Sequence, residues 1–395
     1  MDELRPLCEV VEKPQAGYWG ASERSGVASA AARVVRNGDA AGSRTISTVK
    51  LPLRWFNPNE VARASLQIDD TVLVSSGEVG FASRVVGLDA DYPSIASNFV
   101  RRVRAADGYD PAWLAHLLQS AETKGIAERF SGGTAIQNLG SDFFKRYRVW
   151  VPPLEVQRRI AEILDTIDET IQATERVIAK LQLVQSGLID QSFNPSLGTL
   201  TELGVVCSAP GQYGCVAPAE QRRAGWPRYV RITDVTDSGT LRAGSEVGVS
   251  PTVAQKAILR PGDIVFARSG ATVGKTYLYD PADGLCAFAG YLIRFRPDPK
   301  KALPEFVRWW THSSFYWRWV KGTMREGAQP NINAREYATA VLPLPSIREQ
   351  RLIVASLVEV DVEITTERRC REKLRQLRSG LVADLLSGRI RTVAS

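Results

Sequence analysis

The sequence predicts an α+β chain in which two similar mixed α/β units, related by an internal pseudo-two-fold repeat, are separated by two long antiparallel helices forming a coiled coil. Three observations predict it: a heptad spacing sustained from Leu154 to Phe193, the return of that spacing 193 residues later, and a matching order of short strands ahead of each helix.

Taken in order, the first unit covers residues 1–153. Apolar alternation in segments 31–36, 71–75, 83–87 and 98–104 reads as short strands, with Gly, Asp and Asn turning the chain between them. Pro111 then opens a helix carrying Trp113, Leu114, Leu117 and Leu118, because the first helical position needs no N–H.

The first long helix covers residues 154–193. Pro152 and Pro153 stop any strand from running into it, Glu155 puts a negative charge in its first turn, and Asn194-Pro195 ends it. Ile160, Leu164, Ile167, Ile171, Thr174, Ile178, Leu181, Gln185 and Leu188 follow one another in alternating steps of four and three, the seam of a coiled coil. At ~1.5 Å per residue the segment runs to roughly 58 Å, too long for the wall of one compact domain.

The second unit, residues 194–345, replays the first: segment 228–234 answers the first strand, 262–270 answers 69–77, and 290–296 answers 98–104. Pro304 opens a helix as Pro111 does, and that one helix is expected to hold Phe306, Trp309, Trp310, Trp317 and Val320. The aromatic stripe could be a base-stacking platform. Core packing is favoured, since Trp113, Leu117 and Leu118 take the matching places as plain apolar residues. His116 and His312 also match in order and are expected to cap or fill the end of this helix.

The second long helix, residues 346–388, precedes a short tail, 389–395. Adding 193 to each seam position gives Ile353, Leu357, Val360, Ile364, Glu367, Arg371, Leu374, Arg378 and Leu381. Ala135, Asn138, Gln157, Lys180 and Gly187 recur at the same offset as Ala328, Asn331, Gln350, Lys373 and Gly380. A period of half the chain is a duplication of a whole unit, because solenoid repeats run to only ~20 to 50 residues. Thr174 and Gln185 interrupt one seam, and Glu367, Arg371 and Arg378 the other; either these polar residues fix the register or Cys370 and Leu377 turn inward instead.

Composition narrows the class. A chain of 395 residues exceeds one ordinary core, and 44% hydrophobic with 24% charged content is that of a folded soluble protein. No apolar run reaches the ~18 residues of a membrane span and the N-terminal segment is no signal peptide, so no membrane contact and a cytoplasmic location are expected. Five scattered cysteines and two histidines give no metal spacing and no disulfide framework. A net charge of +7 suits a nucleic-acid partner without diagnosing one. The segment 269–276 imitates a phosphate-binding loop but has Ser269 where that motif needs Gly, and a strand rather than a helix is expected after it. No Rossmann fingerprint, nucleophile elbow or methyltransferase pocket is present, so the chain is expected to be no enzyme.

Several segments together carry a resemblance. SGGTAIQNL (131–139) with PPLEVQRRIAEIL (152–164), EGAQPNIN (326–333) with LPLPSIREQRLIVASL (342–357), and GDIVFARSGATVGKT (262–276) resemble the specificity subunit of type I DNA restriction-modification systems. The resemblance covers nearly the whole chain; the first unit departs most, reading VSSGEVGFASR where the second has FARSGATVGKT. It implies two target-recognition domains, each reading half of a bipartite DNA target, held apart by two conserved helices packed antiparallel; from their length, this pair is expected to act as a ruler between the half-sites. It also implies partners: double-stranded DNA, two methyltransferase (modification) subunits, and restriction (translocase and nuclease) subunits. No cofactor is expected on this chain itself; S-adenosylmethionine, ATP and Mg are expected on the partner subunits.

Phosphates call for Arg, Lys and backbone N–H groups, bases for planar donors and acceptors. The DNA-contacting candidates are therefore Arg36, Arg84, Thr134, Gln137 and Asn138 in the first unit, and Arg231, Arg268, Lys275, Gln329, Asn331 and Asn333 in the second. Asn138 and Asn331 recur in both units, so a turn-fixing role stands beside a reading one. Two competing functions are a stand-alone DNA methyltransferase or nuclease, tested by turnover of the purified chain, and a coiled-coil scaffold, tested by a salt titration of duplex binding.

Overall fold

The computed structural model describes residues 4–132, 137–196, 198–244, 246–324 and 330–389. The chain divides into two compact units, Met1–Thr174 with Cys370–Ser395, and Glu175–Arg369. The division passes through the middle of both long helices, where the sequence suggests a division by element.

In the first unit, β1 (Gln15–Ala16), β2 (Ala30–Val35), β3 (Thr45–Ser47), β4 (Leu53–Phe56), β5 (Thr71–Val74), β6 (Ala82–Gly87), β7 (Ser94–Ala96) and β8 (Val100–Val103) precede α1 (Pro111–Leu118) and α2 (Ala121–Arg129). One sheet has the order β1-β8-β5-β6-β3, and a second the order β4-β2-β7 with β2 and β7 parallel. Every residue of β5 is buried, so this central strand packs on both faces rather than on the one face that the alternation read in 71–75 implies. The long helix α3 (Leu154–Ser192) follows.

The second unit repeats this plan with β9 (Gln212–Tyr213), β10 (Glu220–Gln221), β11 (Arg228–Val230), β12 (Val247–Gly248), β13 (Ile264–Ala267), β14 (Thr276–Leu278), β15 (Cys286–Phe288) and β16 (Leu292–Phe295). Its sheets run β9-β16-β13-β14 and β10-β12-β11-β15, the β11–β15 pair again parallel. An ionic pair marks the same turn in both units. Arg104 donates through Nε and Nη2 to Asp70 at 2.6 and 2.8 Å, and Arg296 to Asp263 at 2.6 and 3.0 Å. Both carboxylates also cap the turn before the central strand, accepting from the backbone N–H of Gln67 and of Arg260.

The helix expected after Pro304 is two helices, α4 (Pro304–Trp310) and α5 (Ser314–Thr323). Ser313 separates them: its hydroxyl accepts from Tyr316 N–H, so it caps a new helix where apolar spacing alone suggests continuity. Phe306, Trp309, Trp310 and Val320 are core residues, as the sequence favours, and Trp317 is half-buried against them. His312 fills the break, with Nδ1 donating to the carbonyl of Arg308 at 3.2 Å and Nε2 buried without a hydrogen-bond partner. Burial, helped by Arg308 and opposed by Asp361, pushes its imidazole down to about 4. The unfolded chain therefore takes up a proton near pH 6.5 that the folded one refuses. Stability should fall as pH drops from about 6.5 to 4, by up to ~2 to 3 kcal/mol, and His312→Asn should flatten that part of a stability-against-pH curve measured by urea denaturation.

The second long helix, α6 (Ile347–Leu385), has bounds that repeat those of α3 at the 193-residue offset, each helix being 39 residues long. In the first unit Ile160 and Leu164 of α3 share an apolar cluster with Val382 and Leu385 of α6. In the second, Ile189 of α3 shares one with Leu357 of α6. Early α3 thus meets late α6, and late α3 meets early α6, so the helices run antiparallel. Ile167, Ile171, Ile178 and Ile364 are buried seam residues, while Leu181, Leu188, Ile353, Val360, Leu374 and Leu381 are half-buried. The polar interruptions stay in the seam. Arg378 is 6% exposed and donates through Nε and Nη2 to Asp168, the latter at 2.8 Å, whereas Cys370 and Leu377 face outward. Gln185 donates to Asp361 at 3.1 Å, and Asp361 and Gln185 stand at the repeat positions of Asp168 and Arg378.

Each long helix is fastened to its own unit by one buried glutamine. Gln157 accepts from Asp110 N–H and donates to Pro152 O, both at 2.8 Å. Gln350 accepts from Leu303 N–H at 2.9 Å and donates to Lys301 O and Pro345 O at 3.1 and 3.0 Å. Asp110 and Leu303 both immediately precede the proline that opens α1 or α4, so the glutamine locks the start of a long helix to the start of a short one.

Candidate nucleic-acid interface

In both units an inner strand of one sheet, β5 or β13, runs into a glycine-rich loop, and a later segment lies antiparallel along that loop. In the first unit Leu139 N–H donates to Ser75 O at 2.8 Å, Gly77 N–H donates to Gln137 O at 2.9 Å, and Ser76 bridges Asn138. In the second, Ile332 N–H donates to Arg268 O at 2.8 Å, Gly270 N–H donates to Pro330 O at 3.0 Å, and Ser269 bridges Asn331. The two frames are equivalent at the 193-residue offset. Backbone geometry demands the glycine that ends each loop: Gly80 and Gly274 have φ of 91° and 89°. A Cβ on Gly274 would also lie 2.9 Å from Trp317 and Val320, so α5 presses directly on the loop.

The sequence candidates distribute unevenly around these frames. Gln137 and Asn138 are exposed on the first frame, and Arg268 and Asn331 adjoin on the second, Arg268 Nε donating to Asn331 Oδ1 at 3.4 Å. Arg36 sits beside the first loop, since its neighbour Asn37 donates to Ser76 O at 2.7 Å. Its guanidinium is held on Asp39, as that of Arg231 is on Asp234; each carboxylate also accepts from its arginine's own N–H. The carboxylates raise both arginines above their ordinary pKa, first through these hydrogen bonds. Lys275 Nζ lies 2.7 Å from Asp237 and holds that exposed carboxyl below its usual range. Asn333 caps the short helix Ala334–Ala338, its side-chain oxygen accepting from Arg335 and Glu336 N–H. Arg84 turns away from the loop to pair with Asp165 of α3 at 3.0 Å. It lines a cavity of about 190 Å³ with Arg44, His116 and Asp168. His116 does more than fill a helix end there, since its Nε2 is hydrogen-bonded to Asp165 at 2.8 Å. Thr134 and Gln329 lie outside the described residues. After Ser269 the chain makes one 3-10 turn, Gly270–Thr272, and enters β14, as expected for a segment that only imitates a phosphate-binding loop.

Sequence reasoning missed the exposed aromatic residues beside both frames. Tyr213, on β9, carries the Arg268 guanidinium 4.9 Å from its ring centroid, and Tyr291 O accepts from Arg268 N–H. In the first unit Phe99 O accepts from Ser75 N–H, and Trp19 lies 6.3 Å from Phe99 with Arg54 over its face. A usable signal existed: Gln15-Ala16-Gly17 recurs as Gln212-Tyr213-Gly214, and neither glycine has room for a Cβ against the strand beside it.

Among known proteins, residues 61–183 match the family described as the type I restriction modification DNA specificity domain. The chain is 22% identical over 283 residues to the type I restriction enzyme MjaVIII specificity subunit of Methanocaldococcus jannaschii, covering 66% of each chain. It is 22% identical over 315 residues to the type I restriction enzyme EcoBI specificity subunit of Escherichia coli, covering 68% of this chain and 65% of that one. The matched part thus spans just under two-thirds of these relatives' length. In fold, it is similar to the S subunit of a type I restriction-modification system from M. genitalium, with a TM-score of 0.59 at 13% identity, covering 97% of this chain and 96% of that one. It is also similar to a chain from a study of complex assembly and conformational transition of the type I R-M system, with a TM-score of 0.61 at 17% identity, covering 98% of each.

Proposed function

We propose that this chain, which carries a type I restriction modification DNA specificity domain and resembles type I specificity subunits along most of its length, is the sequence-reading subunit of such a system. The observation that carries the reading is the duplicated loop frame: one backbone arrangement, built twice, bears different side chains, as two readers of different half-sites require. Arg268, Asn331, Gln137 and Asn138 are its best-placed contacts; Arg36, Arg231 and Lys275 would have to exchange an intramolecular carboxylate for a phosphate. Methyl transfer and cleavage belong to partners in this reading, two modification subunits with S-adenosylmethionine and restriction subunits with ATP and Mg. No described helix is long and apolar enough to cross a membrane.

The test is an exchange of residues 194–345 for the equivalent segment of a relative, which keeps both long helices. Sequencing of methylated sites in the host should show one half of the target changed and the other intact. A change in both halves, or an unchanged target, would overturn independent reading by the two units.

A further inference from the structure

Resting on that DNA-reading function, we propose that Arg268, stacked on Tyr213 and braced by Asn331, is a base-reading residue of the second unit and that its ligand is the major-groove edge of a guanine. The other candidate cations of this unit with a described partner, Arg231 and Lys275, face Asp234 and Asp237. Arg268 has no acidic partner among the described residues. Its main chain is fixed on both sides, N–H to Tyr291 O at 3.0 Å and C=O from Ile332 N–H at 2.8 Å. Its plane is set by the Tyr213 ring, itself tethered where the phenol oxygen accepts from Ala334 N–H at 3.1 Å. Asn331 occupies Nε, which leaves the paired Nη1 and Nη2 edge unpartnered among the described residues. That edge matches the two acceptors, O6 and N7, that only guanine presents side by side in the major groove. A phosphate contact needs no such orientation. The first unit has Ser75 at the equivalent place, its hydroxyl donating to Phe99 O, so it lacks this device. The chemistry read therefore differs between two frames that share a backbone.

The experiment selects sequences from a randomised duplex pool with the full-length chain purified together with its host modification subunits, for wild type, Arg268→Ala, Arg268→Lys and Tyr213→Ala. Wild type should yield a bipartite motif with a guanine in one half. Arg268→Ala should lower discrimination at that guanine by about 10-fold to 100-fold while leaving the other half and the salt slope nearly unchanged. Arg268→Lys, which keeps the charge but not the fork, should lose much of the same preference, and Tyr213→Ala should lose part of it. Thermal melting of each complex separates loss of fold from loss of reading. A uniform loss of affinity with the salt slope reduced by about one and the guanine retained would make Arg268 a phosphate contact and overturn the proposal. Loss of preference at a different base, or a wild-type motif with no guanine, would overturn it too. A wild-type complex that selects no motif would instead overturn the DNA-reading function itself.

Discussion

Gln350→Leu should destabilise the second unit by about 2 to 4 kcal/mol in urea denaturation, although it removes no charge. Gln350 is fully buried, and its amide completes Leu303 N–H, Lys301 O and Pro345 O at once. Leucine would leave those backbone groups unpaired around a site that water does not enter, at ~1 to 3 kcal/mol for each one that stays buried. Gln157→Leu should cost less, about 1 to 3 kcal/mol, because two bonds rather than three are lost. Unchanged midpoints for both variants would show that the long helices are held by their apolar contacts alone.

Arg378→Met should cost a comparable ~2 to 4 kcal/mol in the first unit. Asp168 would keep only Arg44 at 3.9 Å and His116 at 4.0 Å, both beyond hydrogen-bond reach. Breaking one side of a buried pair strands the other charge, whereas removing both is close to neutral, so Asp168→Leu combined with Arg378→Met should recover most of the loss. Arg378→Gln is the more discriminating change. It writes into the first unit the Asp–Gln pair that the second already uses at the same repeat positions, and should cost only about 1 kcal/mol. If the double variant were as unstable as the single one, the pair would not be what places Arg378 in the seam.

Much of this architecture is legible in the sequence because it follows from periodicity. A seven-residue seam repeated 193 positions on specifies two long partner helices whether or not every seam residue is apolar. Polar seam residues are ambiguous for a physical reason: Arg378 is acceptable only because Asp168 lies across from it, and sequence separation conceals that pairing. The same limit affects the DNA-contact candidates. Arg36 and Arg231 each have an aspartate three residues on, a visible hint, but the Asp165 that engages Arg84 is 81 residues away in sequence. The break between α4 and α5 escapes an apolar reading because the stripe continues across it, and only Ser313 signals the new start. Tyr213 escapes because a two-residue strand has no period to detect.

The first compact unit joins Met1–Thr174 to Cys370–Ser395, while the second is one continuous stretch. On the ribosome this reverses the order of completion. The second unit has all its residues in hand first, and the earlier-made unit must wait for Val382, Leu385 and Leu386 to cover Ile160 and Leu164. At ~5 to 20 residues per second that wait lasts roughly 10 to 40 s. Through this interval the nascent chain carries an uncovered apolar face, a natural client for a holding chaperone, and synthesis that stalls short of Val382 would leave that face open.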